Sequence, residues 1–211
     1  VAVYDPSKDA PKNVNKVIKN AERAYAQLLA SDLPTRGILT FENTVSDASK
    51  TADIIIEAVP ERLSSKQSVY DEIELSANNN VIIASSTSGI LPSDLQAKMK
   101  QPERLIVAHP FNPVYLLPLV EIVGGSKTSK ELIERASSIF TNVGMFPLHI
   151  KKEIPAFIAD RLLESVWREA LWLVNDDIAT TEEIDDAIRF GFGLRWAQMG
   201  LFETYRLAGG E

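Results

Sequence analysis

The sequence predicts an α/β doubly wound domain followed by an all-α C-terminal domain. Three observations predict it. Apolar, β-branched runs of about four to six residues alternate with amphipathic helical stretches up to residue 150, the pattern of a parallel sheet covered on both faces. Chemically distinctive side chains stand at the carboxyl ends of those runs, where open α/β sheets bind ligands. Beyond Lys152 the strand signal stops, and apolar residues recur only at helical spacing.

In chain order, Val1-Ala2-Val3-Tyr4 reads as a short buried strand closed by Asp5-Pro6. Residue 1 is not Met and a strand begins at once, so the chain is expected to start inside a fold. Helical periodicity runs from about Asn13 to Leu29, a turn spans Pro34 to Gly37, and Ile38 to Phe41 forms a strand. Ala52 to Val59 is the next strand, followed by a helix from about Glu61 to Leu75 and a strand at Val81 to Ala84. A short helix follows Pro92-Ser93-Asp94, and Leu105 to Ala108 is again a strand. Leu119 to Val123 follows, then the break Gly124-Gly125, a helix at Lys130 to Asn142 and a strand at Phe146 to Ile150. Helices then fill Ile154 to Asn175 and Ala197 to Leu207, and Thr180-Thr181-Glu182-Glu183 starts another with acids in its first turn.

Composition narrows the function. The 211 residues are 45% hydrophobic and carry a formal charge of −7, with 29 acidic against 22 basic side chains. A nucleic-acid or anionic-membrane partner is therefore not expected, and a small-molecule ligand is. Without cysteine and without a long apolar run or leader, the expectation is a cytoplasmic protein. His109 and His149 are the only histidines, too few for a His-rich metal site, so no metal is expected.

Asp5 ends a strand where a dinucleotide-binding sheet places the acid that accepts ribose hydroxyls, although Asp-Pro after a strand is ordinarily a turn. No Arg follows it to receive a 2′-phosphate, which favours NAD over NADP. The Gly-x-Gly-x-x-Gly turn that holds a pyrophosphate does not occur in the sequence and is expected upstream of residue 1. His109 follows Val107-Ala108 at a strand's carboxyl end, and Pro110 and Pro113 flank Asn112. Glu121 lies within an apolar run and needs a buried partner, which an imidazole would supply; the ordinary reading is a satisfied core histidine and an edge-strand carboxylate. Ala84-Ser85-Ser86-Thr87-Ser88-Gly89 brings hydroxyls to the same rim, and a Ser/Thr loop with N-capping duties is its ordinary reading. Glu57-Ala58-Val59-Pro60-Glu61-Arg62 with Lys66 ends another strand, and a solvated helix start is its ordinary reading. His149, in an apolar strand, reads as structural.

Taken in order, Glu57-Ala58-Val59-Pro60-Glu61 with Lys66, Ser85-Ser86-Thr87-Ser88, His109-Pro110-Phe111-Asn112-Pro113, Leu119-Val120-Glu121 and Phe157-Ile158-Ala159-Asp160-Arg161-Leu162-Leu163 resemble the 3-hydroxyacyl-CoA dehydrogenase superfamily over the whole chain. The resemblance implies a Rossmann-like NAD-binding domain at 1–152, incomplete at its start, and a helical substrate and dimerisation domain at 153–211. It implies an NAD-dependent oxidation of a secondary alcohol, with His109 as acid/base and Glu121 as its orienting partner. Ser88 and Asn112 would surround the reacting oxygen and the nicotinamide. Asp5, Glu61 and Lys66 would contact the cofactor. A homodimer is expected by the same analogy.

The chain departs from the superfamily at Ser86, where Asn is usual, at Pro155-Ala156-Phe157, where Pro-Gly-Phe is usual, and at Asp160, where Asn is usual. The segment between the second and third strands is also short for an acyl-CoA enzyme. His109 to Gly125 and Ala179 to Phe202 instead resemble the branch that acts on L-carnitine. A zwitterionic quaternary ammonium substrate calls for aromatic faces, at about 0.5 to 2 kcal/mol each, and a cation for its carboxylate. Tyr115, Phe192, Trp196 and Phe202 are the aromatic candidates and Arg195 the cation, although aromatics in a helical domain are ordinarily core. Alternatives within the superfamily are a hydroxybutyryl-CoA or gulonate dehydrogenase, and outside enzymology a non-catalytic, crystallin-like relative.

Overall fold

The computed structural model describes residues 1–28 and 35–210. The strand β1 (Ala2–Val3) leads to helix α1 (Ala10–Leu28), and β2 (Thr40–Phe41) runs parallel to β1 in a two-stranded sheet of their own. Leu29 and Pro34, at which the expected helix ends and the expected turn begins, lie outside the described residues. A short α2 (Val45–Ser49), capped by the Thr44 side chain, precedes the main sheet.

That sheet has five strands, β3 (Ile54–Glu57), β4 (Ile82–Ser85), β5 (Leu105–Pro110), β6 (Leu119–Gly124) and β7 (Phe146–Ile150), hydrogen-bonded in that order. Between them lie α3 (Leu63–Ser76), α4 (Pro92–Gln96) and α5 (Lys130–Asn142). Alternation along the strands divides the core in two. Ile83, Leu105, Val107 and Val123 pack with Tyr70 and Ile73 of α3, Leu95 of α4 and Phe157 on one face. Ile82, Ala84, Ile106, Ala108, Val120 and Ile122 pack with Ile133 and Ala136 of α5 on the other.

Two expectations need correction. The sheet is not parallel throughout, because β5 and β6 pair antiparallel. Parallel pairing would need a crossover of a dozen or more residues, and only residues 111–118 separate the two strands. The first strand is not buried, since Val1 is 85% exposed and β1 pairs with β2 alone.

The chain divides into compact units at Val1–Ile158 and Ala159–Glu211. The second unit holds α6 (Ala159–Asn175), α7 (Thr181–Ala187), a π-helical turn at Ile188–Phe192 and α8 (Gly193–Ala208). Thr180 caps α7 in a full capping box with Glu183. Gly200, at φ +70°, interrupts the regular geometry of α8. Among the described residues no helix is long and apolar enough to cross a membrane, and no cluster of three or more potential metal-ligating side chains occurs.

Candidate active site

Strand parity gathers a row of polar side chains on one face at one end of the sheet. Glu57 shares its side of β3 with Ile55, Ser85 its side of β4 with Ile83, His109 its side of β5 with Val107, and Glu121 its side of β6 with Val123. Glu57 pairs with Ser85, and His109 stands directly opposite Glu121. For β3, β4 and β5 this is the carboxyl-terminal edge, the ligand-binding edge of open α/β sheets.

His109 is 5% exposed and Glu121 fully buried, and His109 Nδ1 lies 2.9 Å from Glu121 Oε2. With the carboxylate accepting from Nδ1–H, the lone pair sits on Nε2, which leaves that nitrogen able to accept a proton. Glu121 Oε1 accepts from the Ile158 backbone N–H at 3.0 Å. The imidazole is also boxed by rings, with Phe111 edge-on at 5.2 Å and Phe157 tilted at 5.5 Å between centroids. Phe157 is buried and reaches this place through a left-handed turn, with φ +60° at Ala156 and +50° at Phe157.

A second network occupies the ends of β3 and β4. Glu57 Oε1 accepts from Lys66 Nζ at 2.8 Å and Val59 N–H at 2.8 Å, and Oε2 from the Tyr70 hydroxyl at 2.6 Å and the Ser85 hydroxyl at 2.7 Å. Burial, and then the adjacent Glu57 carboxylate, push the Tyr70 hydroxyl well above the ordinary phenol range, so it remains a donor. Lys66 Nζ also donates to Val59 O at 3.2 Å and lies 3.4 Å from Glu61 Oε2. Glu61 Oε1 accepts from the Thr87 hydroxyl and from Ser88 N–H. Partial burial works against the Glu61 charge, but the Thr87 hydroxyl, Lys66 and Ser88 N–H outweigh it and hold that carboxyl below the usual glutamate range.

The structure thus brings His109, Glu121, Ser88, Glu61 and Lys66 to one edge of one sheet. Ser88 and Asn112 are exposed on the rim, and Asn112 precedes a cis peptide to Pro113. Lys66 differs from its expected setting. Its side chain is only 1% exposed, so it meets the rim through Glu61. Asp5 is exposed after β1, with Oδ1 accepting from Ser7 N–H at 2.7 Å. Tyr115 is half-buried in the 111–118 segment. Phe192 and Trp196 pack with their rings tilted at 59° and 4.6 Å between centroids in the second unit, where Arg195 is exposed and Phe202 is 88% exposed. His149 is exposed on β7.

Sequence reasoning gave no role to Glu57, Tyr70, Ser85 or Phe157. Glu57 had a usable signal, since a carboxylate closing the apolar run Ile54-Ile55-Ile56 needs buried donors just as Glu121 does.

The donor set suits part of a nicotinamide dinucleotide. Asp5 after β1 and Glu61 in the turn after β3 are acceptors for ribose hydroxyls, and the exposed Ser88 hydroxyl and Asn112 amide offer donors on the same rim.

Comparison with known proteins bears on the family and the fold. Residues 1–154 match the model of the NAD binding domain of 3-hydroxyacyl-CoA dehydrogenase, and residues 157–211 match the model of its C-terminal domain. An L-carnitine dehydrogenase of Mesorhizobium japonicum is 57% identical over the whole chain, which spans 58% of that relative's length. One of Oceanobacillus iheyensis is 54% identical, and the chain spans 69% of it. The crystal structure of 5-formyl-3-hydroxy-2-methylpyridine 4-carboxylic acid 5-dehydrogenase, an NAD⁺-dependent dismutase, superposes with a TM-score of 0.90 at 31% identity, covering 99% of this chain and 68% of that one. The chain belongs to the 3-hydroxyacyl-CoA dehydrogenase family, as an NAD-binding Rossmann-like domain joined to that family's helical C-terminal domain.

Proposed function

We propose that the full-length gene product oxidises the 3-hydroxyl of L-carnitine to 3-dehydrocarnitine. The observation that carries the chemistry is the buried His109–Glu121 pair at the ligand-binding edge. Bound NAD supplies the hydride acceptor. His109 Nε2 takes the hydroxyl proton as the C–H bond at C3 breaks, and Glu121 stabilises the imidazolium that results. Ser88 and Asn112 steady the oxygen as it becomes a carbonyl. Glu61 and Asp5 hold ribose hydroxyls, and Lys66 supports Glu61.

The choice of substrate is supported by the relatives named L-carnitine dehydrogenase at 57% and 54% identity. In the helical unit, the tilted Phe192–Trp196 pair offers aromatic faces to a trimethylammonium group. The Trp196 indole N–H is buried without a hydrogen-bond partner among the described residues, so it has a donor to give. Arg195 of the same unit is the matching cation for a carboxylate and Phe202 a further aromatic face there, while Tyr115 offers an aromatic face in the first unit. The same unit exposes Leu163 by 60%, Trp167 by 58% and Trp172 by 58% along α6, which supports a homodimer formed through it.

The test is kcat/KM of the full-length gene product with NAD and three substrates. L-carnitine is expected to exceed L-3-hydroxybutyryl-CoA, and also L-3-hydroxybutyrate, which keeps the carboxylate but lacks the ammonium group. Equal or better efficiency with the CoA thioester would overturn the carnitine reading and leave the dehydrogenase reading intact.

A further inference from the structure

Glu57 closes β3 with a buried carboxylate that the chemistry above does not use. Its four donors come from three directions. Tyr70 and Lys66 reach it from α3, Ser85 from β4, and Val59 from the turn that follows β3. Such saturation fixes the carboxylate firmly, and the carboxylate in turn fixes the one cation in the set. Lys66 Nζ is then shared with Glu61, whose other oxygen accepts from the Thr87 hydroxyl and the Ser88 N–H. A continuous polar path therefore runs from the interior at Glu57 to the rim at Ser88. Glu61 is 48% exposed at its side chain, so without Lys66 behind it that carboxylate would be free to turn toward water.

We propose that Glu57 is a positioning residue: through Lys66 it holds Glu61 against the Thr87–Ser88 turn and so sets where Ser88 stands on the rim it shares with His109. The significance of that placement rests on the function proposed above, but the placement itself does not. It is read on the protein alone.

The experiment is amide hydrogen exchange on the full-length gene product without cofactor. Glu57→Gln should speed exchange at Ser88 by about tenfold or more, while amides at the centre of the sheet, Ile83 and Val107, change by less than about twofold. Equal acceleration at all three would reduce Glu57 to a stabiliser of the fold, and an unchanged Ser88 would remove the path; either result overturns the inference. Lys66→Met should accelerate Ser88 to the same degree, and the double variant no more than either single one, since groups on one path do not add. Additive effects would overturn it as well. Should Glu57→Gln fail to fold, Tyr70→Phe removes one donor without stranding a buried charge, and it should still loosen Ser88 by about threefold while sparing the sheet. No change at Ser88 in that variant counts against the path. Failure of the substrate comparison would overturn the carnitine reading and leave this result standing, so the two are told apart.

Discussion

His109 and Glu121 are register partners across the antiparallel β5–β6 ladder, and their side chains meet at 2.9 Å on the face that carries the polar row. The backbone hydrogen bonds of two neighbouring strands thus bring the imidazole and the carboxylate together. His109→Gln should lower kcat of the full-length enzyme by about 10²- to 10⁴-fold while NADH affinity changes little. Glu121→Gln should lower it less, because an amide still accepts from Nδ1–H but brings no charge to the imidazolium. Near-normal turnover in His109→Gln would contradict the role assigned to it.

A pH dependence follows from Glu61. Its folded-state pKa lies below the ordinary value of 4.5, so its contribution is fully present above that value and is lost as pH falls through the lower folded one. The Ser88 amide, bonded to this carboxylate, should titrate by NMR with a midpoint below 4.5, and Glu61→Gln should abolish the titration. A midpoint at or above 4.5 would show that the Thr87 and Lys66 contacts do not hold in solution.

Ala156, at φ +60°, stands where a residue without Cβ pays no conformational penalty. Left-handed strain of about 1–3 kcal/mol outweighs the extra chain entropy of glycine, about 0.4–1 kcal/mol, so Ala156→Gly should stabilise the first unit by about 1 kcal/mol. Urea denaturation reads the shift in midpoint. A loss of stability of that size, as for Ala→Gly in an ordinary helix, would mean that the turn before Phe157 is not left-handed.

In the second unit, Thr180 accepts from Glu183 N–H while the Glu183 carboxylate accepts from Thr180 N–H and from its hydroxyl. Those two contacts, the backbone one first, lower the Glu183 pKa, so the box is complete above the ordinary glutamate range and opens as pH falls through the depressed value. Thr180→Ala should destabilise the unit by about 1 kcal/mol at neutral pH. The same difference measured in acid, with Glu183 protonated, should be smaller. An undiminished difference would mean that the two halves of the box act separately.

The sequence made some elements legible to the residue. Both α5 and β7 carry their own punctuation, with Ser129 capping the helix and Gly144 at φ +85° turning the chain into the strand. The reversal between β5 and β6 was less visible, because apolar periodicity reports which face a residue takes and not which way its strand runs. The brevity of residues 111–118 did contain that information. His109 and Glu121 stood out as polar residues in apolar strands. Lys66 was harder, since a lysine is rarely buried and its reach across a turn to Glu57 depends on how α3 sits on the sheet.

The ladder that pairs His109 with Glu121 also frees the span between them. Register is set by strand hydrogen bonds, so residues 114–117 can lengthen, shorten or be exchanged with another family member's without displacing the pair. The same is not true one strand position on. A single-residue deletion inside β6 would carry Glu121 to the opposite face, among Ile133 and Ala136, and leave the imidazole facing an aliphatic side chain. The sequence around this hairpin is therefore graftable at its tip and intolerant in its second strand, which marks out where a library aimed at new substrates should and should not place its length variation.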